Sequence, residues 1–234
     1  MKLPILDSAN ASLLPGFDHD LLSAIRPTPI ERMLPSGVVI EEQGQHPETL
    51  QFLLEGDVQM YARAVGRTST VELIAAPDAI ALAAVVASEP VLASYVTLTK
   101  CRLLAINANA VRTRLGEDAA FGAAIARLLA TQGRRRIRSL YNHKLRTGVE
   151  RLASWVLVKW IEAGKVEAFR RPIKKQVLAS LLGLTPESLS RCCGQLEQHG
   201  ATLDGAEIKV FDPARLAILA QPDHLIDGIS LSHH

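Results

Sequence analysis

Apolar residues change their spacing part-way along the chain. Between about residues 30 and 106 they fall in short β-rich or alternating runs. These are Val38-Val39-Ile40, Gln51-Phe52-Leu53-Leu54, Val58-Gln59-Met60-Tyr61, Val71-Glu72-Leu73-Ile74, Tyr95-Val96-Thr97-Leu98 and Cys101-Arg102-Leu103-Leu104. Turn formers separate several of them: Pro35-Ser36-Gly37, Gly44, Glu55-Gly56-Asp57, Gly66 and Ala76-Pro77-Asp78. Short strands at this spacing predict a sandwich or barrel.

From Asp118 the period lengthens. Phe121, Ile125, Leu128/Leu129, Gln132, Arg136 and Leu140 follow at three- and four-residue steps, which predicts a helix to about Tyr141. A narrow apolar stripe on so long a helix favours pairing with a second long helix, hence a dimer. Gln132 and Arg136 interrupt the stripe and weigh towards the dimer; a helix packed on its own β-domain is the alternative. A further helix follows, with Val149, Leu152, Val156 and Trp160 on one face and Gly164 as its stop.

The most structured signal lies at 174–200. A first short helix at 175–182 turns Val177, Leu178 and Leu181 inward, and Gly183 ends it. Leu184 anchors the turn. Thr185 is a good N-cap and Pro186 suits the first helical position, where its missing N–H costs nothing. The second helix buries Leu189 and Leu196. Two short helices joined this way form a helix-turn-helix. Its exposed leading residues are Glu187, Ser188, Ser190 and Arg191, the positions that reach base edges in the major groove. Arg191 suits guanine O6 and N7, and Glu187 suits a cytosine N4. The alternative for Glu187 and Arg191 is an ordinary surface ion pair.

Next come Ala201-Thr202-Leu203, Asp204-Gly205 and Glu207-Ile208-Lys209-Val210-Phe211. Asp-Gly between β-like runs predicts a hairpin, and a helix-turn-helix followed by a hairpin is a winged helix. Lys174, Lys175 and Lys209 flank it as phosphate contacts. The candidate DNA-binding residues are therefore Lys174, Lys175, Thr185, Glu187, Ser188, Ser190, Arg191 and Lys209.

Charge alters the picture more than composition does. The 234 residues carry 26 Lys+Arg and 24 Asp+Glu, a net +2 that first argues against a polyanion partner. Residues 1–130 hold 10 basic and 14 acidic side chains, however, and residues 131–234 hold 16 and 10. An acidic front (−4) is joined to a basic back (+6), as expected of two domains of which one meets nucleic acid. Basic density peaks at Arg134, Arg135, Arg136, Arg138, Lys144 and Arg146, a run that is otherwise read as a solvated helix face. At 48% hydrophobic the chain is too apolar for disorder. Its longest apolar run, the nine residues 79–87, is too short for a membrane span. The opening MKLPILDSANAS does not read as an export signal, so the expected location is cytoplasmic.

From about Phe17 to Phe211 the sequence resembles the Crp/Fnr family of bacterial transcription regulators. Leu34-Pro35-Ser36-Gly37-Val38-Val39-Ile40, Gly44, Glu48-Thr49-Leu50 and Leu53-Leu54-Glu55-Gly56-Asp57-Val58 resemble its cyclic-nucleotide-binding-type β-roll. The middle resembles its dimerisation helix and the end its winged helix. Glu187, Ser190 and Arg191 match the Glu-x-x-Ser-Arg recognition motif of the Fnr-like branch. The resemblance implies a homodimer, a palindromic operator with TTGAT-like half-sites, and RNA polymerase as a partner. Leu82-Ala83-Ala84-Val85-Val86, Lys144-Leu145-Arg146-Thr147 and Val149-Glu150-Arg151-Leu152-Ala153 look most like the FtrB-type members.

The departures concern the signal. Members that bind cyclic AMP carry Gly-Glu-Leu and, about ten residues on, Arg-Ser/Thr-Ala. The corresponding stretches here are Ala81-Leu82-Ala83 and Leu92-Ala93-Ser94. Without the arginine a buried cyclic phosphate would lack its counter-charge, so cyclic AMP is not expected in the usual mode. The cysteine cluster that holds an iron–sulfur centre in oxygen-sensing members is also absent. What remains, with Leu82, Ala83, Leu92, Ala93 and Arg136 as the candidate effector pocket, suits an apolar ligand, a haem or no ligand.

Other residues invite chemistry and do not carry it. Cys192 and Cys193 point about 100° apart on a helix and cannot easily bridge, so packing outweighs a redox switch. Cys101 reads as buried filler. His46, His143 and His199 are isolated and read as surface or capping residues rather than haem ligands. Trp155 and Trp160 read as packing between the long helix and the winged helix. Terminal His233-His234 cannot close a metal site alone. No nucleophile–base constellation, phosphate loop or zinc-protease motif appears, so no enzyme is expected.

The expected architecture is α+β. Residues 1–116 form the sensor β-roll (jelly-roll), 117–146 the dimerisation helix and hinge, 147–220 the winged helix-turn-helix, and 221–234 a tail. The expected function is sequence-specific regulation of transcription. The alternative is a haem- or apolar-ligand sensor for which DNA contact is secondary.

Overall fold

The computed structural model describes residues 28–227. The opening stretch read for an export signal, Phe17, and His233-His234 lie outside the described residues. The chain divides into two compact units between Gly133 and Arg134.

The first unit holds two four-stranded antiparallel sheets. One runs β1 (Ile30–Leu34), β8 (Cys101–Asn107), β3 (Thr49–Glu55), β6 (Asp78–Ile80). The other runs β2 (Val39–Glu41), β7 (Ser94–Thr97), β4 (Asp57–Ala64), β5 (Arg67–Ala75). Strand alternation sorts side chains to two cores. On β3 and β8, Leu53, Cys101 and Leu103 turn inwards to meet Val58, Ile74 and Tyr95 of the facing sheet. Leu50, Phe52, Leu104 and Ile106 turn outwards and are covered by α1 (Leu82–Ala87), α2 (Ala108–Glu117) and the start of α3 (Ala119–Leu145). Strands β3 and β8 are therefore buried on both faces, as their nearly continuous apolar runs require.

Asp118 separates α2 from α3. Its Oδ1 accepts from the N–H groups of Ala120 and Phe121, and Arg114 pairs with Oδ2 at 2.7 Å. The donated backbone hydrogens, ahead of the nearby guanidinium, hold its carboxyl below the usual value. Helix α3 has 27 residues and runs about 40 Å at 1.5 Å per residue.

Its apolar stripe corrects the sequence reading. Phe121, Ile125 and Leu128 pack on the chain's own β-roll, against Leu50, Phe52, Leu82 and Val85. Gln132 does not mark a helix–helix seam either. It is 2% exposed, and its amide donates to Asp78 Oδ1 and to the Ala79 carbonyl, both at 2.8 Å. A buried amide must find such partners, and the roll supplies them. The large apolar residues that α3 leaves exposed come later: Ile137, Leu140, Tyr141 and Leu145.

The second unit contains the end of α3, α4 (Gly148–Glu162), β9 (Ala168–Arg170), α5 (Lys175–Leu181), α6 (Pro186–Glu197), β10 (Ala201–Asp204), β11 (Glu207–Val210), α7 (Pro213–Ala220) and α8 (His224–Asp227). Thr147 and Glu150 form a capping box that starts α4, and Glu150 accepts the Thr147 N–H at 2.7 Å. Leu152, Val156 and Leu157 of α4, Leu178 of α5, Leu189 and Leu196 of α6 and Leu216 of α7 share one core. Trp155 and Trp160 pack against it. Of the expected tail, residues 221–227 are described and are tied down: α8 carries Asp227, whose side chain is 4% exposed in an ion pair with Arg146. Among the described residues no helix is long and apolar enough to cross a membrane.

Candidate nucleic-acid interface

Helix α5 ends where Gly183 takes a φ of +64°, and the Leu184 N–H closes back on the Ala179 carbonyl at 2.9 Å. Thr185 then caps α6: its hydroxyl oxygen accepts the Ser188 N–H at 3.2 Å, with Pro186 in the first turn. Leu189, Cys192 and Leu196 anchor α6 in the core. That anchoring fixes which residues point away. Glu187, Ser190 and Arg191 are exposed along the leading turns, and Ser188 is half-buried beside them.

Glu187 and Arg191 have separate hydrogen-bond partners. Arg191 donates to Ser188 Oγ at 3.0 Å and closes no ion pair with Glu187. Glu187's own N–H, then the Thr185 hydroxyl, then the charge of Arg191 hold its carboxyl below the usual range. The helix thus presents one ionised acceptor and one guanidinium whose remaining donors are uncommitted to a carboxylate. Lys175, at the start of α5, donates to Ser190 Oγ at 3.4 Å, which sets a second cation beside the same face. Lys174 is the exposed cap of α5.

The hairpin expected at Asp204-Gly205 is present. Strands β10 and β11 pair from Ala201↔Val210 to Asp204↔Glu207. Gly200 enters it at a φ of +89°, where a Cβ would overlap the backbone carbonyl of Asp212. Lys209, expected as a phosphate contact, is exposed and lies 3.1 Å from the equally exposed Glu207 Oε2. The sequence reading missed β9, which joins β11 with Arg170 opposite Glu207 and adds an exposed cation to the sheet. The Arg170-Arg171 pair was its only signal, because three residues are too few to show a period.

The candidate effector residues do not make an apolar wall. Leu82 and Ala93 are buried, Leu82 inside the core cluster under α3. Leu92 is 86% exposed, while Val91 and Ala93 on either side are buried. Ala83 is exposed too, and Arg136 belongs to α3 beyond the division between the units.

Burial raises the thiol values of Cys101, Cys192 and Cys193 above the ordinary range, which keeps them protonated and poorly nucleophilic. His46 and His143 are exposed, and the His143 and His199 rings each meet a carbonyl of the preceding helical turn. Among the described residues no group of three or more His, Cys, Asp or Glu is placed to hold a metal.

Residues 31–118 match the family model of the cyclic nucleotide-binding domain, and residues 150–219 match that of the Crp-like helix-turn-helix domain. No curated protein matches the sequence. Several solved structures share the fold. A Eubacterium rectale protein described as a transcriptional regulator of the Crp/Fnr family aligns at 19% identity and a TM-score of 0.70, over 85% of this chain and 92% of that one. FixK2 of Bradyrhizobium japonicum aligns at 19% and 0.68, over 82% and 97%. A CRP-family transcriptional regulator of Thermus thermophilus aligns at 19% and 0.66, again over 82% and 97%.

Proposed function

We propose that the chain, which joins a cyclic nucleotide-binding domain to a Crp-like helix-turn-helix domain, is a Crp/Fnr-type transcription regulator that reads a palindromic DNA site as a homodimer. The observation that carries this reading is the capped start of α6, where Glu187, Ser190 and Arg191 project together from a helix anchored by Leu189, Cys192 and Leu196. In the major groove Arg191 takes a guanine and Glu187 a cytosine amine. The Glu-x-x-Ser-Arg pattern supports TTGAT-like half-sites, and Lys174, Lys175, Arg170 and Lys209 supply phosphate contacts.

Dimerisation rests on the exposed face of α3. Ile137, Leu140, Tyr141 and Leu145 stand at positions i, i+3, i+4 and i+8, so one helical stripe stays open to solvent. A second copy of the same helix is the natural cover for a seam of this kind. Two copies would set their recognition helices about one DNA turn, ~34 Å, apart. RNA polymerase is the partner that such a regulator addresses, and the FtrB-like features make that branch our subtype reading.

The signal at the β-roll is not a cyclic nucleotide held in the family's usual way. Leu92 stands where the phosphate-binding arginine is found, and Ala81-Leu82-Ala83 offers no carboxylate for a ribose. Calorimetry with cyclic AMP should show no micromolar binding.

Selection from random duplexes tests the DNA reading. The wild-type protein should enrich a palindrome. Arg191→Ala should relax the preference at one guanine per half-site and cost ~1–3 kcal/mol. Uniform weakening over all sequences would make Arg191 a phosphate contact instead.

A further inference from the structure

The sharp break between α3 and α4 falls at Arg146-Thr147, and one guanidinium ties both sides of it. Arg146 Nη1 donates to Asn142 Oδ1 on α3 (3.1 Å), to Ser154 Oγ on α4 (3.0 Å) and to Asp227 Oδ1 (2.7 Å). Its Nη2 donates to Asp227 Oδ2 (2.7 Å) and to the Gln221 carbonyl (2.9 Å). The pairing with Asp227 is bidentate, and the two side chains are 7% and 4% exposed. Asp227 also accepts from Ser154 Oγ at 2.6 Å and from the Asp223 N–H at 2.8 Å. Further up α3, Arg138 Nε donates to the Leu225 carbonyl at 2.8 Å. Segment 221–227 is thus held to α3 through Arg138 and to the joint through Arg146, and through Ser154 it reaches α4.

The network continues to the reading head. Arg151 donates to the Arg146 carbonyl at 2.6 Å and to the Leu182 carbonyl at 2.8 Å. Leu182 precedes the Gly183 turn that sets α6 on α5, and His143 of α3 lies against Gly183. Arg146 therefore has its side chain fixed by segment 221–227 and its carbonyl fixed by Arg151.

We propose that residues 221–227 are a clasp that locks the α3–α4 joint, with Asp227 and Arg146 as positioning residues that hold the recognition helix in its reading orientation. The inference rests on the DNA-reading assignment for its consequence, and not for the clasp itself. Ordinary packing would use apolar contacts; here the segment engages the joint through a buried, bidentate ion pair that serves three elements at once. Losing one partner leaves the other charge buried and uncompensated, so the joint must open to rehydrate it.

Two readouts on the full chain test the clasp. Trypsin needs a free arginine side chain, so the Arg146–Thr147 bond should be cut at least tenfold faster in Asp227→Asn, and in a chain ending at residue 221, than in wild type, with far-UV circular dichroism retained. Asp227→Asn should also bind the wild-type selected duplex at least fivefold more weakly, with random-duplex binding unchanged. The double variant Arg146→Met/Asp227→Leu keeps volume and removes both charges. It should recover the melting temperature without recovering specific binding. Unchanged cleavage in Asp227→Asn, faster cleavage with unchanged specific affinity, or recovery of both properties in the double variant would each overturn the proposal. A wild-type protein that selects no duplex would overturn the DNA reading instead, and the cleavage rates alone would then decide the clasp.

Discussion

Single side chains in this protein do their work by satisfying buried groups. Gln132 is the clearest case on the β-roll. Gln132→Ala removes two donors from buried oxygens at Asp78 and Ala79, and should lower stability by ~1–3 kcal/mol in urea unfolding. Asp227 is the second case. Burial acts to raise its carboxyl, but the bonds from Arg146, Ser154 and Asp223 outweigh that and hold it below its ordinary value of 3.8. A depressed carboxylate adds stability that is fully present above the unfolded value and lost as pH falls through the folded one. The gap in urea midpoint between wild type and Asp227→Asn should therefore be constant near neutrality and close below about pH 4.

At the scale of elements, caps and turns decide where the reading head sits. Thr185→Ala removes the hydroxyl cap of α6 and should cost about 1 kcal/mol. Gly200→Ala forces a Cβ onto the Asp212 carbonyl at a positive φ and should cost ~1–3 kcal/mol, read by thermal unfolding. These same punctuation residues made the winged helix legible from sequence. Gly183, Thr185-Pro186 and Asp204-Gly205 each demand a specific backbone, and the helices and hairpin between them follow. Strands β1, β6 and β9 were not read, because three to five residues without a clear alternation carry no period. The stripe on α3 is apolar as its period predicts, and its first half is covered by the roll rather than by a second helix. Periodicity reports that a face is buried and is silent on what buries it, and Phe121, Ile125 and Leu128 meet the roll. The pairing of Arg146 with Asp227 spans 81 positions, beyond any spacing rule.

Across the whole molecule, the charge split now has structural addresses. The basic excess lies in the second unit, on α3, α5 and β9, and the net +2 is a cancellation between a sensor-like unit and a DNA-facing one. Affinity for a selected duplex should fall steeply with salt, and Lys175→Ala should reduce the slope of log K against log salt by about 1. The proposed self-association would run through the exposed stripe. Leu140→Asp should shift sedimentation from dimer to monomer while circular dichroism stays unchanged, since Leu140 is absent from both unit cores. The placement of the tryptophans has a practical consequence. Both stand on α4, packed on the core of the second unit, and the indole N–H of Trp160 is buried without a hydrogen-bond partner. Indole emission is therefore a private channel for the helix-turn-helix unit, and the β-roll is dark in it. An emission midpoint that separates from the circular dichroism midpoint would show the two units melting one at a time.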